Sequence, residues 1–161
     1  MNITFPDGIV RQFPDGTSGM EIAKSISEGL ARVALGIFVD NVPYDLSRPI
    51  TKDATIRIVT FNDEDGRQIF WHSTAHLMAE ALESLYAGVK FGIGPPIENG
   101  FYYDVDLPNG KKLSVEDLPV IEAKMKELVK QNSAFERVEI SWEDAVQYFT
   151  EKGDEYKLEL L

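Results

Sequence analysis

The chain has 161 residues, a hydrophobic fraction of 43%, no cysteine, two histidines and a formal net charge of -11. That length suits one domain or two small ones with packed cores, and the lack of cysteine excludes disulfides and thiolate chemistry. No apolar run approaches the ~18 residues of a membrane-crossing helix, and the opening MNITFPDG has neither the basic segment nor the apolar core of a signal peptide, which makes the cytoplasm the default compartment. The charge is uneven: residues 1–62 carry 7 acidic and 6 basic side chains, residues 63–161 carry 20 and 10. Phosphate-binding surfaces draw their affinity from Lys and Arg, so the acidic second part is a poor stand-alone nucleic-acid binder.

NITF and IVRQF alternate apolar and polar residues and are joined through Pro6-Asp7-Gly8, which predicts a hairpin. Thr17 or Ser18 can cap a following helix, whose buried stripe is Ile22, Ala23, Ile26 and Leu30 at helical spacing. VALGIFVD is an apolar strand, NVPYDLSRP a loop and ATIRIVTF a last alternating strand. The order β-β-α-β-β within about sixty residues implies a helix packed across one mixed sheet, a β-grasp arrangement.

The acidic stretch Asn62 to Gly66 is the predicted hinge, dividing a first domain (1–62) from a second (63–161). A helix over Arg67 to Tyr86 follows, then VKFGIGPPIENGFYYDVDL, which reads as strands joined by tight turns. Ser114 and Asp117 form an S-x-x-D capping pattern ahead of a second amphipathic helix. FERVEI reads as a strand, and Ser141 to Asp144 repeats the capping pattern before a short helix that Gly153 ends. EYKLELL is the last expected strand, with Tyr156, Leu158 and Leu160 on one face and Lys157 on the other. Because that pattern runs into the final residue, the chain is expected to be the N-terminal part of a longer protein.

Both histidines, His72 and His76, lie on the long helix four residues apart. Residues at that spacing share one helix face, with Cβ atoms ~6 Å apart, so two imidazoles can grip one metal ion, one water or one substrate group. Two hydrogen-bonded surface histidines would show the same spacing. The metalloprotease pattern H-E-x-x-H is broken by Ser73 in the Glu position, and a zinc site would need ligands beyond two histidines. No phosphate loop and no G-x-S-x-G elbow occurs.

Taken together, the stretches become recognisable. FPDG, GTSGMEIAKSIS and ALGIFVDN resemble the TGS domain, a β-grasp module of threonyl-tRNA synthetases, certain GTPases and stringent-response enzymes. HSTAHLMAEAL, GIGPPIENGFYYDVD, SVEDLPVIEAKMKEL and GDEYKLELL, in that order and spacing, are similar to the next domain of bacterial threonyl-tRNA synthetases. The resemblance implies an α+β chain: a TGS domain followed by an editing-type domain truncated on its C-terminal side. In that family the second domain hydrolyses seryl-tRNA made in error, because one missing methyl gives only ~1–3 kcal/mol of discrimination at the first site. By resemblance His72, His76 and Lys157 would be the catalytic groups, with Tyr103, Gly94 and Pro95 beside the substrate.

The same resemblance implies what lies outside the chain. The family's site is completed by an Asp-x-Cys-x-x-x-His segment that this sequence lacks, so these residues alone are expected neither to edit efficiently nor to ligate. ATP, magnesium and zinc belong to the family's aminoacylation domain; no cofactor or metal is expected here. The expected partners are tRNA and, through the absent domain, a second copy of the ligase, with no membrane. A stand-alone TGS-type binding or regulatory module is the alternative.

Overall fold

The computed structural model describes residues 1–161. They form two compact units, Met1–Phe70 and Trp71–Leu161. No helix is long and apolar enough to cross a membrane.

The first unit contains β1 (Asn2–Thr4), β2 (Val10–Gln12), α1 (Gly19–Ile26), α2 (Glu28–Val33), β3 (Ala34–Val39), β4 (Val42–Tyr44) and β5 (Ala54–Thr60). The strands make one mixed sheet in the order β2-β1-β5-β3-β4, with only β1 and β5 parallel. Ile22 of α1 joins Ile3, Ile37, Val39, Ile50, Ala54 and Ile56 in a continuous core, as a β-grasp helix lying on its sheet requires. Ser18 caps α1 with a complete capping box: its hydroxyl accepts from the Glu21 N–H, and the Glu21 carboxylate accepts from the Ser18 N–H. That bonding holds the Glu21 carboxyl below its usual range.

Two sequence expectations need correction here. The helix is not continuous, because Ser27 adopts an extended backbone and caps α2 by accepting from the Leu30 N–H. A side-chain oxygen there offers the backbone an alternative bond, the stripe is interrupted, and Ile26 is left exposed. The supposed loop NVPYDLSRP begins with a strand: Val39 pairs with Val42 across the two-residue turn Asp40-Asn41. Both turn residues have positive φ, at 50° and 64°, the conformation that tight hairpins demand and that Asp and Asn tolerate.

α3 (Glu64–Leu85) begins in the first unit and ends in the second. Asn62 to Gly66, expected as a hinge, forms a tight turn and the first turn of this helix. The Asp63 carboxylate accepts from the Thr60 N–H at 2.8 Å and the Thr60 hydroxyl at 3.0 Å, while the Asp63 N–H donates to the Thr60 carbonyl at 3.0 Å.

In the second unit, β6 (Lys90–Phe91) pairs with β9 (Val105–Asp106), and β7 (Pro96–Ile97) with β8 (Gly100–Phe101). The two pairs are nested, and a 2.8 Å bond from the Gly92 N–H to the Asp104 carbonyl lies between them, so residues 90–106 form one long hairpin. It packs on α3 and α4 (Leu118–Gln131) around Leu82, Val89, Phe91, Leu107 and Ile121. α5 (Trp142–Lys152), capped by Ser141 and closed by left-handed Gly153, and α6 (Glu155–Leu158) complete the unit.

FERVEI is not a strand. Residues 133–140 have no regular structure, no strand pairs with them, and Phe135, Val138 and Ile140 are exposed. Alternation alone does not make a strand without a neighbour to take its backbone bonds. The last expected strand is a helical turn, α6.

Asp117 organises the approach to α4. Its carboxylate accepts from the Ser114 N–H and hydroxyl, both at 2.8 Å, from the Tyr86 hydroxyl at 3.1 Å and from the Lys111 ammonium at 3.2 Å. These bonds, Ser114's first, hold its carboxyl far below the usual carboxylate range. A depressed pKa means that the stabilisation is present above about pH 3.9 and is lost as pH falls through the lower folded value. Asp117→Ala should therefore lower the thermal midpoint of the second unit at pH 7 and flatten its loss of stability in acid, which calorimetry across acidic pH would read.

Candidate functional site

All six residues singled out by sequence border one cavity of about 360 Å³ within the second unit: His72, His76, Gly94, Pro95, Tyr103 and Lys157. Gly92, Ile93, Pro96 and Leu160 complete its lining.

α3 supplies the histidines. Their Nε2 atoms are 3.1 Å apart and the rings meet nearly edge to face at 84°, so one imidazole donates its proton to the other. Helical spacing brings both rings to one face. The surrounding protein removes enough water from His76 to push its pKa below 6.5, and the neighbouring His72 and Lys157 push it further the same way. His76 is therefore neutral at pH 7, and one of its nitrogens is available as a proton acceptor.

The hairpin supplies the opposite wall. The Tyr103 ring stacks edge-on against buried Phe91 with centroids 5.4 Å apart, and burial, with Asp154 nearby, raises the pKa of its phenol. Gly94 is there because nothing larger fits: a Cβ would stand 2.5 and 2.6 Å from two ring carbons of Tyr103. Gly94→Ala should tilt that ring and cost about 1–3 kcal/mol, visible as a lower unfolding midpoint together with shifted Tyr103 ring resonances.

α6 supplies Lys157, and here the expected strand geometry is overturned. The Asp154 carboxylate accepts from the Lys157 N–H at 3.2 Å, its carbonyl accepts from the Leu158 N–H at 3.1 Å, and the Leu160 N–H donates to the Lys157 carbonyl at 3.2 Å. A capped helical turn satisfies backbone groups that no adjacent strand could pair. Helical spacing puts Leu160 on the Lys157 side, whereas strand alternation would have put it opposite. The Lys157 ammonium reaches the Gly92 carbonyl at 3.5 Å.

The three-residue spacing of Lys157 and Leu160 signals a shared face only at helical period. Ile93 and Pro96 carried no chemistry of their own to flag them. No group of three or more His, Asp or Glu side chains is arranged to hold a metal ion, so the donors present do not fit a closed zinc site. What the cavity offers is a hydrogen-bonded imidazole pair, an ammonium, a phenol and apolar walls. That set can position a water and move its proton beside a small polar substrate.

Residues 1–60 match the TGS domain family. Over its entire length the chain is 55% identical to the threonine–tRNA ligase of Cytophaga hutchinsonii and 52% identical to that of Parabacteroides distasonis, in each case spanning 25% of the relative. The same enzyme of Chlorobaculum tepidum is 48% identical over 99% of the chain, which spans 24% of it. The chain carries a TGS domain and matches the N-terminal region of bacterial threonine–tRNA ligases. It thus spans about a quarter of the length of these curated relatives. The β-grasp sheet of the first unit is the TGS fold, and the whole chain is α+β.

Proposed function

We propose that these residues are the N-terminal part of a threonine–tRNA ligase, with a TGS domain over 1–62 and most of a hydrolytic editing domain over 63–161. The whole enzyme would attach threonine to its tRNA with ATP as a class II synthetase, in the cytoplasm and as a homodimer. ATP, magnesium and zinc would be held by its aminoacylation domain. The observation that carries the editing reading is the convergence of His72, His76, Tyr103, Gly94, Pro95 and Lys157 on one cavity.

In this reading the seryl ester at the tRNA terminus enters beside Tyr103 and Gly94. The imidazole pair takes a proton from a water as its oxygen attacks the ester carbonyl. Lys157 offers positive charge to the oxyanion that develops, and the proton passes to the ribose oxygen as the carbon–oxygen bond breaks. Free acid and deacylated tRNA result. The deciding experiment is seryl-tRNA hydrolysis by the full-length ligase and its His72→Ala and Lys157→Ala variants. Unimpaired hydrolysis in both would remove these assignments.

A further inference from the structure

Lys157 differs from the other lysines around it. Lys90 pairs with Glu155 at 2.9 Å, Lys152 with Glu83 at 3.0 Å and Lys111 with Asp117 at 3.2 Å. Lys157 makes no ion pair, and its ammonium has only the Gly92 carbonyl at 3.5 Å. In a chain of net charge -11, the cavity beside it has no Asp or Glu in its lining. Its groups able to carry positive charge are Lys157 from α6 and His72 and His76 from α3; Tyr103 from the hairpin is neutral at pH 7. The adjacent carboxylate, Asp154, lies outside the lining and is engaged by the Lys157 N–H.

From this arrangement we infer that the cavity is a proton-linked site for a small oxyanion: a carboxylate or similar anion held between the Lys157 ammonium and the His72–His76 pair. While the pair is neutral one N–H is spent between the rings and a single N–H is left for the anion; a proton taken up at His76 adds a second donor and a positive charge. Two Nε2 atoms 3.1 Å apart could also face a divalent metal ion, but the ammonium beside them opposes a cation and no third ligand is present. Burial is the larger cause of the lowered His76 pKa; the smaller one, repulsion from His72 and Lys157, is what an anion between them relieves. Binding therefore raises the pKa of His76, and by linkage affinity rises as pH falls through the histidine range. The inference concerns the cavity of the editing reading but rests on its charge and shape, whether or not hydrolysis occurs there.

The test uses the 161-residue chain and follows the Hε1 resonances of His72 and His76 while acetate, and separately sulfate, is added at about pH 5.5 and at about pH 7.5. Sulfate keeps its charge over that interval and acetate stays mostly ionised. Saturable shifts of both imidazoles are expected, about tenfold tighter at the lower pH, since a rise of about one pKa unit on binding corresponds to that factor. Lys157→Met should weaken binding about tenfold, and Lys157→Arg, which keeps the charge, should retain it. Response to acetate alone assigns a carboxylate, such as the acid that ester hydrolysis releases; response to both assigns an oxyanion site that inorganic phosphate would also fill.

Absence of saturation, equal affinity at both pH values, or unchanged affinity in a folded Lys157→Met variant overturns the inference. So does a zinc titration that saturates the imidazoles while the anions leave them unmoved. A ligase that loses seryl-tRNA hydrolysis on His72→Ala while the chain ignores acetate removes this inference and leaves the editing reading standing. The opposite pair of results does the reverse.

Discussion

His72→Ala in the full-length ligase should cut seryl-tRNA hydrolysis by about 10²–10⁴-fold, the usual contribution of a positioned general acid–base group, and leave threonine attachment unchanged. The reason is specific to the pair. One imidazole donates to the other across 3.1 Å, so removing His72 takes away a direct contact in the cavity and the bond that fixes the ring and tautomer of His76. Lys157→Ala should lose a comparable amount by another route, since it removes the charge facing the reacting ester. A pH profile separates the two. Hydrolysis that needs a neutral imidazole falls as pH drops through the lowered pKa of His76. In Lys157→Ala that acid limb should move towards higher pH, because one of the charges that depresses His76 is gone. Single-turnover deacylation of seryl-tRNA, with aminoacylation as the internal control, measures both effects.

How much of this was legible in the sequence differs between the two units. The first was legible where local rules hold: Pro6-Asp7-Gly8 turns the chain, Ser18 and Glu21 close a capping box, and β5 alternates between core and solvent, whereas β2 is exposed on both faces. What was missed needed one more local fact in each case. The helix break depends on the Ser27 hydroxyl preferring the Leu30 N–H, and the β3–β4 hairpin depends on two residues adopting positive φ. In the second unit local rules were weaker guides. Val138 and Ile140 alternate as a strand would, but strand formation depends on a partner that no nearby segment provides. Lys157 reaches the site from a helical turn, although its sequence alternates as a strand would. Leu160 comes to the cavity only because the period there is helical. The cavity itself was legible by resemblance alone, since nothing in the spacing of residues 72, 94, 103 and 157 predicts that they meet.

The second large effect is at Gly66, where helix propensity and packing predict opposite signs. Gly66 lies in the first turn of α3, and replacing a helical glycine by alanine ordinarily gains up to ~1 kcal/mol. Here a Cβ would be 1.8 Å from the Thr60 carbonyl oxygen and 2.6 Å from its carbon. Both atoms are backbone, and Thr60 is held by three bonds to Asp63, so it cannot swing away as a side chain could. The start of α3 or the end of β5 must move. Overpacking of this kind costs about 1–3 kcal/mol, at or above the upper end when backbone is the obstacle. For a unit of this size the thermal midpoint should fall by on the order of 10 °C. Gly29→Ala in α2 is the matched comparison, because its Cβ meets nothing nearer than the Ser27 hydroxyl at 3.7 Å, and it should be neutral or stabilising. If Gly66→Ala unfolds no earlier than Gly29→Ala, the close approach of α3 to Thr60 is not a feature of the folded protein.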